Sequence, residues 1–439
     1  MTVRLHRRDF VRSLVAGSAA LSWSAQSWAR VAGANERLRV ASIGTGGKGK
    51  SDLNGVAASS HVQVVALCNI DDSKEHLGWA KEQYADARTF VDWRKLLDDS
   101  KEIDAVIVST PDHMHAPIAL PAMQLGKPVF CQKPLTHTLH EARQMALAAK
   151  KYNLVTQMGN QINSHEAYRT AVKAVQSGAI GKVQEVHSWQ AGTPRWPRAI
   201  DRPAGSDPIP NGVAWDLFLG VAPERPYLKE LYHPFNWRGW RDFGTGQLGD
   251  FGCHILDPVF TALRLTSPTE CMAEAPAIHP ETWTKSATVR YLFPRTEFTA
   301  GDTLAVTWYD GEGITAPRAL FKHLPADVAL PNSGSVLIGE KGSIIVPHVK
   351  LPTAYGTDGS PIAIETVPGV DHYVQFADAC RGEAKTTSNF AYAGPLTETV
   401  MLGTIGIRVP GEKLLWNAEK LEITNSSTAQ GNLRPIATR

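Results

Sequence analysis

Covalent bracing is nearly absent from this chain. Its five cysteines, at 68, 131, 253, 271 and 380, are odd in number, scattered and free of any C-x-x-C pair. That pattern excludes a disulfide framework and a zinc ligand set. Charge of one sign is also missing: 45 Lys and Arg stand against 43 Asp and Glu, for a net charge of +2. The first 29 residues hold four arginines and one aspartate, so the rest of the chain has no basic surplus with which to grip nucleic acid. No apolar run is long enough for a stable membrane span, and Leu14 to Trp23 is too short and too rich in small residues. There is no internal repeat and no low-complexity tract. What remains, 439 residues with 43% hydrophobic and 20% charged, is globular and long enough for two domains.

At the N-terminus, Arg7-Arg8-Asp9-Phe10-Val11 forms a twin-arginine pattern, although His6 sits where such signals usually carry Ser or Thr. With Leu14–Trp23 and the small residues of Ser27-Trp28-Ala29, it predicts an export signal over residues 1–29. A chain exported folded needs no disulfides and can load a nucleotide cofactor in the cytoplasm first. The expected location is therefore periplasmic or otherwise exported.

The chain is organised around Arg39-Val40-Ala41-Ser42-Ile43-Gly44-Thr45-Gly46-Gly47-Lys48-Gly49, a strand-like run entering a glycine turn. Glycines 44, 46 and 49 fit G-x-G-x-x-G, which supplies a tight turn, close approach to a pyrophosphate, and helix-on-strand packing. Gly47 lies in the same loop, where phosphates would meet free N–H groups at a helix start. A second run, Val62–Leu67, ends at Cys68-Asn69-Ile70-Asp71, where a ribose-reading residue belongs. Helices are expected over 52–58, 73–84, up to Leu125, and 139–151, and strands over 104–109, 129–131 and 154–158. This alternation predicts a parallel sheet covered on both faces, with ligands at the carboxyl ends of the strands.

Beyond Gly159 the texture changes. A helix over 166–177 leads to a strand near Val183–Trp189. Further strands are expected over 287–292 and 304–309, and a hairpin over 336–338 and 343–346. They predict a mainly antiparallel sheet with one open face, closed by late helices over 373–380 and 395–407. Residues 192–235 read as long loops near a site. In Gly244-Thr245-Gly246-Gln247-Leu248-Gly249-Asp250-Phe251-Gly252-Cys253-His254-Ile255-Leu256-Asp257, Asp250, His254 and Asp257 fall on one helix face, and Pro258 kinks or offsets the next helix.

These residues carry a resemblance. The glycine loop, Thr110-Pro111-Asp112-His113-Met114-His115, Gln132-Lys133-Pro134, Ile180-Gly181-Lys182-Val183 and Asp250-x-x-x-His254, in that order, resemble the Gfo/Idh/MocA oxidoreductase family from about Leu38 onward. The resemblance implies a Rossmann domain over 38–160, then an α/β domain over 161–439 with a large, mainly antiparallel open sheet that often mediates homo-oligomers. It also implies a nicotinamide cofactor and a sugar, inositol or similar polyol substrate. By position, Lys133, Asp250 and His254 match the family's catalytic lysine, aspartate and histidine, and the Lys-Pro bond is often cis in the family. Thr110, Pro111, Asp112 and His115 match its loop beside the nicotinamide ribose.

Chemistry gives those residues roles. Histidine titrates near neutrality, so His254 is the expected general base for a secondary alcohol, with Asp250 orienting its ring and Lys133 favouring alkoxide character. Gln132 replaces the family's usual glutamate, which removes a negative neighbour and eases deprotonation of Lys133. Asn69 stands where NAD-preferring relatives often carry Asp. Asp71 or Asp72 is then the expected carboxylate for the ribose, while Lys48 and Lys50 leave NADP open beside the favoured NAD. Gln161, Trp196, Arg198, Trp237 and Arg238 are the substrate candidates, since Trp faces suit sugar C–H faces and Arg suits hydroxyls. Packing of a sheet or interface is the alternative for the tryptophans. His113, His115, His254 and Asp257 do not follow a metal pattern, and no metal is expected. Two other functions compete with a sugar oxidoreductase: a redox-neutral glycosidase or epimerase that recycles its hydride, and a non-catalytic cofactor-binding sensor.

Overall fold

The computed structural model describes residues 37–433 except Pro194; the expected export signal over 1–29 lies outside the described residues. The first sheet has six parallel strands: β1 (Leu38–Ile43), β2 (Val62–Cys68), β3 (Arg88–Phe90), β4 (Ala105–Val108), β5 (Val129–Cys131) and β6 (Thr156–Met158). Their order is β3-β2-β1-β4-β5-β6, so the chain reverses direction across the sheet between β1 and β4. That switch point opens a crevice at the carboxyl ends of the strands, where doubly wound sheets bind ligands. Every residue of β4 is fully buried, which is why the run shows no polar alternation. The helices that cover the sheet include α1 (Lys48–Ala57), α2 (His115–Gln124) and α3 (Leu139–Tyr152). Thr138 and Glu141 form a capping box that starts α3.

Gly44 turns the chain from β1 toward α1 with φ +87°, and a Cβ there would lie 2.4 Å from the Ser109 carbonyl oxygen. Gly49 packs as closely, since its Cβ would lie 2.1 Å from the Gly44 oxygen. Gly44→Ala therefore combines a disfavoured backbone with a clash against backbone, and should cost about 1–3 kcal/mol in denaturant titration. An unchanged midpoint would contradict this. The helix expected over 73–84 instead opens as a wide π turn over Lys74–Gly78 before Trp79–Gln83. Thr45 pins it, because its hydroxyl donates to the His76 carbonyl (3.0 Å) and its own carbonyl accepts from Trp79 Nε1 (2.8 Å).

The second sheet has ten strands: β7 (Val183–Gln190), β8 (Glu270–Glu274), β9 (Ala287–Pro294), β10 (Thr303–Asp310), β11 (Ser333–Gly339), β12 (Gly342–Pro347), β13 (Thr353–Gly356), β14 (Pro361–Ile362), β15 (Lys413–Asn417) and β16 (Glu422–Ile423). They run in the order β14-β13-β12-β11-β7-β10-β9-β8-β15-β16, antiparallel throughout except for β7 beside β10. One face is covered by α4 (Glu166–Gln176), α5 (Gly246–Ile255), α6 (Asp257–Leu263) and, later, α8 (Phe390–Arg408). On the other, Trp189, Val336 and Ile345 gather a small core with Phe321 and Leu324, so the segment near 316–330 covers part of a face expected to be open.

The late helices do more than close the second sheet. In α7 (His372–Cys380), Phe376 and Ala377 join the core of the first sheet with Val40, Leu53, Ile107 and Phe130. Helix α8 runs between α3 and strands β8 and β9. A bidentate pair of Arg143 with buried Glu398, 2.7 Å at both contacts, locks α3 to α8. Among the described residues, no helix is long and apolar enough to cross a membrane.

Candidate active site

Lys133 stands just beyond β5, on a loop whose Lys133-Pro134 bond is cis. Its Nζ donates to Asp250 on α5 twice, at 2.8 Å to Oδ1 and 2.9 Å to the carbonyl. Arg238 brings Nε to 3.4 Å from the same Oδ1, with its guanidinium over the rings of Trp237 (4.2 Å) and Phe235 (4.5 Å). Burial alone would raise the Asp250 pKa, but Lys133 and Arg238 hold it below the ordinary value. The start of α5 is anchored from the first sheet, where buried Asp112 accepts from the Thr245 N–H (3.1 Å) and hydroxyl (2.7 Å). Lysine and aspartate, 117 residues apart in the chain, thus meet in one ion pair.

His254 lies one turn after Asp250 and is buried. Its Nδ1 bonds the side-chain oxygen of Asn160, an acceptor, which assigns the ring proton to Nδ1. Nε2 is left with a lone pair and has no protein partner among the described residues. Burial, then the charge of Lys133 and the nearby His348, holds the imidazole well below its usual pKa, so it is neutral. Asn160 is itself fixed, because its amide donates to the Cys253 carbonyl (2.9 Å) and to Asp257 (3.1 Å). Asp257 also accepts from Asn163 and Tyr392, and burial pushes it up to about 7. The expected role of Asp250 as orienter of His254 is therefore corrected: Asn160 holds the ring, because Asp250 is turned to Lys133. Asn160 escaped the sequence reading although it follows β6, at the carboxyl end of a strand. His348 had no sequence signal at all, and comes from beyond β12 to 5.6 Å from the His254 ring.

The dinucleotide-side residues divide. No side chain caps the start of α1 and no acid lies in its first turn, and a Cβ on Gly47 (φ +53°) would meet open space. Thr110 Oγ1 and Gln161 Oε1 are buried and unpartnered, so polar groups await a ligand at this end of the sheet. These features fit a dinucleotide. Other expected cofactor-side residues bond the protein itself. The space beside Gly46 is filled by the His76 imidazole, 1.9 Å from where a Cβ would stand. Asn69 donates to Thr45 Oγ1 (3.0 Å) and accepts from the Asp71 N–H (3.1 Å), so it shapes the turn. Asp71 accepts from the Ser73 N–H (2.9 Å) and from His233 Nε2 (2.7 Å), and despite its burial is held below the usual carboxylate range. Asp112 is spent on Thr245, and His115 lies 2.8 Å from both the Thr110 and Pro134 carbonyls, tying the two loops together.

Gln132 donates to fully buried Asp52 (2.8 Å), and Lys133 takes its negative neighbour from Asp250 instead. Lys48 is engaged by Asp52 and Tyr373, and Lys50 lies over Trp79, 4.7 Å from the ring centre. Of the substrate candidates, Arg238 reaches Asp250 and lies over the Trp237 ring, and Trp196 packs against Phe235 (6.2 Å) in the same wall. Arg198 is buried near Asp310 of β10, 3.9 Å away. Trp237 also joins Trp215 and Trp240 in a core with Tyr232 and Phe243, the packing alternative for those three. Among the described residues, the four weighed as metal ligands do not bring their ligand atoms together, whereas Asp71, His76 and His233 bring ligand-type atoms within 4.8 Å of one another.

Residues 38–160 match the Gfo/Idh/MocA "Oxidoreductase family, NAD-binding Rossmann fold", and residues 168–297 match that family's "C-terminal alpha/beta domain". The levoglucosan dehydrogenase of Pseudarthrobacter phenanthrenivorans is 28% identical over 238 residues, 51% of this chain and 50% of that protein. The chain thus spans about half the length of that relative. A glycosyl hydrolase family 109 protein of Stenotrophomonas maltophilia is 27% identical over 346 residues, 76% of this chain and 71% of that protein. The aldose-aldose oxidoreductase of Caulobacter crescentus shares the fold at 17% identity, with a TM-score of 0.60 over 87% of this chain and all of that one. With both family domains matched in order over more than half its length, the chain belongs to the Gfo/Idh/MocA family of NAD-binding oxidoreductases.

Proposed function

We propose that the enzyme transfers hydride between a nicotinamide and a secondary hydroxyl of a sugar, inositol or related polyol. One observation carries this: the Lys133–Asp250 ion pair joins the end of β5 to α5, one turn from a neutral His254 with an open Nε2. When bound, the nicotinamide supplies the hydride acceptor or donor. The start of α1, with no side-chain cap and no acid in its first turn, suits a pyrophosphate. His254 Nε2 takes the hydroxyl proton. An ammonium has three N–H donors, of which Lys133 gives two to Asp250, and the third stabilises the developing alkoxide. Trp237, Arg238 and Trp196 would form the substrate wall. Asn160→Leu removes the acceptor that fixes the His254 tautomer, and should lower kcat about tenfold to a hundredfold with dinucleotide affinity unchanged. Equal kcat would remove Asn160 from the mechanism.

A redox-neutral version, a glycosidase or epimerase that returns the hydride, is favoured by a strap from the second domain. Ala214 N–H donates to the Ile70 carbonyl (2.7 Å), Asp72 N–H to Gly212 (3.1 Å), and His233 holds Asp71, all at the end of β2. A strap there would retain a dinucleotide through many turnovers, and the glycosyl hydrolase relative points the same way. Export by the twin-arginine route and self-association through the second sheet belong to this proposal and rest on the sequence. Purified protein given glycosides without added NAD decides between the versions. Sustained turnover supports recycling, whereas a single turnover followed by a strict need for NAD supports net dehydrogenation. Failure with every sugar and polyol, NAD present, would defeat both.

A further inference from the structure

A cavity of about 90 Å³ opens where the loop after β4, the start of α3, the segment before α5 and the end of α8 meet. None of Lys133, Asp250, Asn160 or His254 lines it. Its polar lining is unusually unfulfilled. The side chain of Arg408, the last residue of α8, has no hydrogen bond or ion pair among the described residues, and its Nε is buried. Arg241 donates from Nη1 to the carbonyls of His279 (3.1 Å) and Pro280 (2.9 Å), yet its Nε is also buried without a partner. Burial, then the charge of Arg241, brings Arg408 down to about 10, as two guanidinium groups facing one space would.

The third unpartnered group is of the opposite kind. His113 is 1% exposed and places Nε2 3.0 Å from the Phe218 carbonyl, to which it donates. Its Nδ1 is therefore a bare lone pair, and it too is buried with no partner. Burial pushes this imidazole down to about 3, so it does not become a donor at neutral pH. Two carboxylates share the lining. Asp242 is paired with Arg225, and Glu141 accepts from the Thr138 N–H (2.9 Å) while burial pushes it up to about 7. His137 donates from Nε2 to the Arg241 carbonyl (2.9 Å). The free capacity is thus guanidinium N–H donors from two sides and one acceptor, in a space large enough for several waters.

We propose that this cavity is a binding site for hydrogen phosphate, whose oxygens accept from Arg241 and Arg408 and whose hydroxyl donates to His113 Nδ1. Sulfate matches the ion in shape and charge but carries no proton at neutral pH. It would leave the His113 lone pair facing an anionic oxygen. The bound ion would join the end of α8 to the segment that enters α5, and would brace that helix start against the first sheet.

The test uses the full chain at constant ionic strength and neutral pH, with titration calorimetry and thermal melting in phosphate, sulfate or chloride. Phosphate should raise Tm and bind at least about tenfold more tightly than sulfate, as one lost buried hydrogen bond implies. Saturating NAD should leave the phosphate effect in place, which separates this cavity from the start of α1. Arg408→Gln should abolish the phosphate response while its melting in chloride matches the parent. Should that variant fail to fold, phosphorus NMR on the parent suffices: phosphate line broadening that neither sulfate nor NAD relieves supports the site. Equal responses to phosphate and sulfate, a phosphate effect removed by NAD, or one that survives Arg408→Gln would each overturn it.

Discussion

Lys133→Met should reduce kcat by roughly a thousandfold while the protein still binds dinucleotide, the loss expected when one preorganised donor to a developing oxyanion is removed. Methionine keeps much of the side chain's volume and removes only the ammonium. The partner left behind, Asp250, is 14% exposed at its side chain but keeps Arg238 at 3.4 Å, so it does not become an unpaired buried charge. The fold should survive, and the effect should fall on chemistry. Steady-state kinetics with a sugar and polyol panel, alongside fluorescence titration of dinucleotide, checks both halves. Near-parental kcat would show that the lysine only holds α5 to β5.

His254→Ala should lower kcat by about a hundredfold to ten-thousandfold, the range for removal of a positioned general base. The pH profile gives a second test. The imidazole must be neutral to accept a proton, and burial with Lys133 holds its pKa well below 6.5. Alcohol oxidation should therefore persist at pH 6 and fall only in more acidic solution. Carbonyl reduction needs the protonated ring and should rise in that same acidic range. In Lys133→Met the positive neighbour is gone, so the acid limb of the residual activity should move up toward the ordinary histidine value. A limb at or above 6.5 in the parent, or an active alanine variant, would remove His254 as the base.

Local rules made the first sheet legible. A run without polar alternation marked β4, an amphipathic period marked α3, and a glycine turn marked the end of β1, each legible within its own short stretch of chain. The second sheet was less so: β8 begins and ends on glutamate, and β13, β14 and β16 are too short to show a period. At the site, Lys133, Asp250 and His254 were legible as motifs, but their partners were not. Asn160 holds His254 across 94 residues of sequence, and His233 takes Asp71 from 162 residues away. Such pairings follow from how α5 and the strap meet the first sheet, which no local spacing encodes. Asn69, Asp71, Asp112 and His115 sit where ligand-facing residues belong, yet bond the protein itself. A polar residue at a strand's carboxyl end serves equally to bind a ligand or to fasten two loops.

Deuterium transfer tests the central claim most directly. The protein, loaded with NAD and freed of excess, is mixed with sugars and polyols deuterated at their carbinol carbons, and the bound dinucleotide is analysed by mass spectrometry. Net oxidation predicts deuterium accumulating on the nicotinamide of the parent, internal recycling predicts it in the reduced dinucleotide caught by rapid quenching during turnover, and both predict almost none in Lys133→Met. A dinucleotide that stays bound yet never gains label from any substrate would contradict the assignment of Lys133, Asp250 and His254 to hydride chemistry.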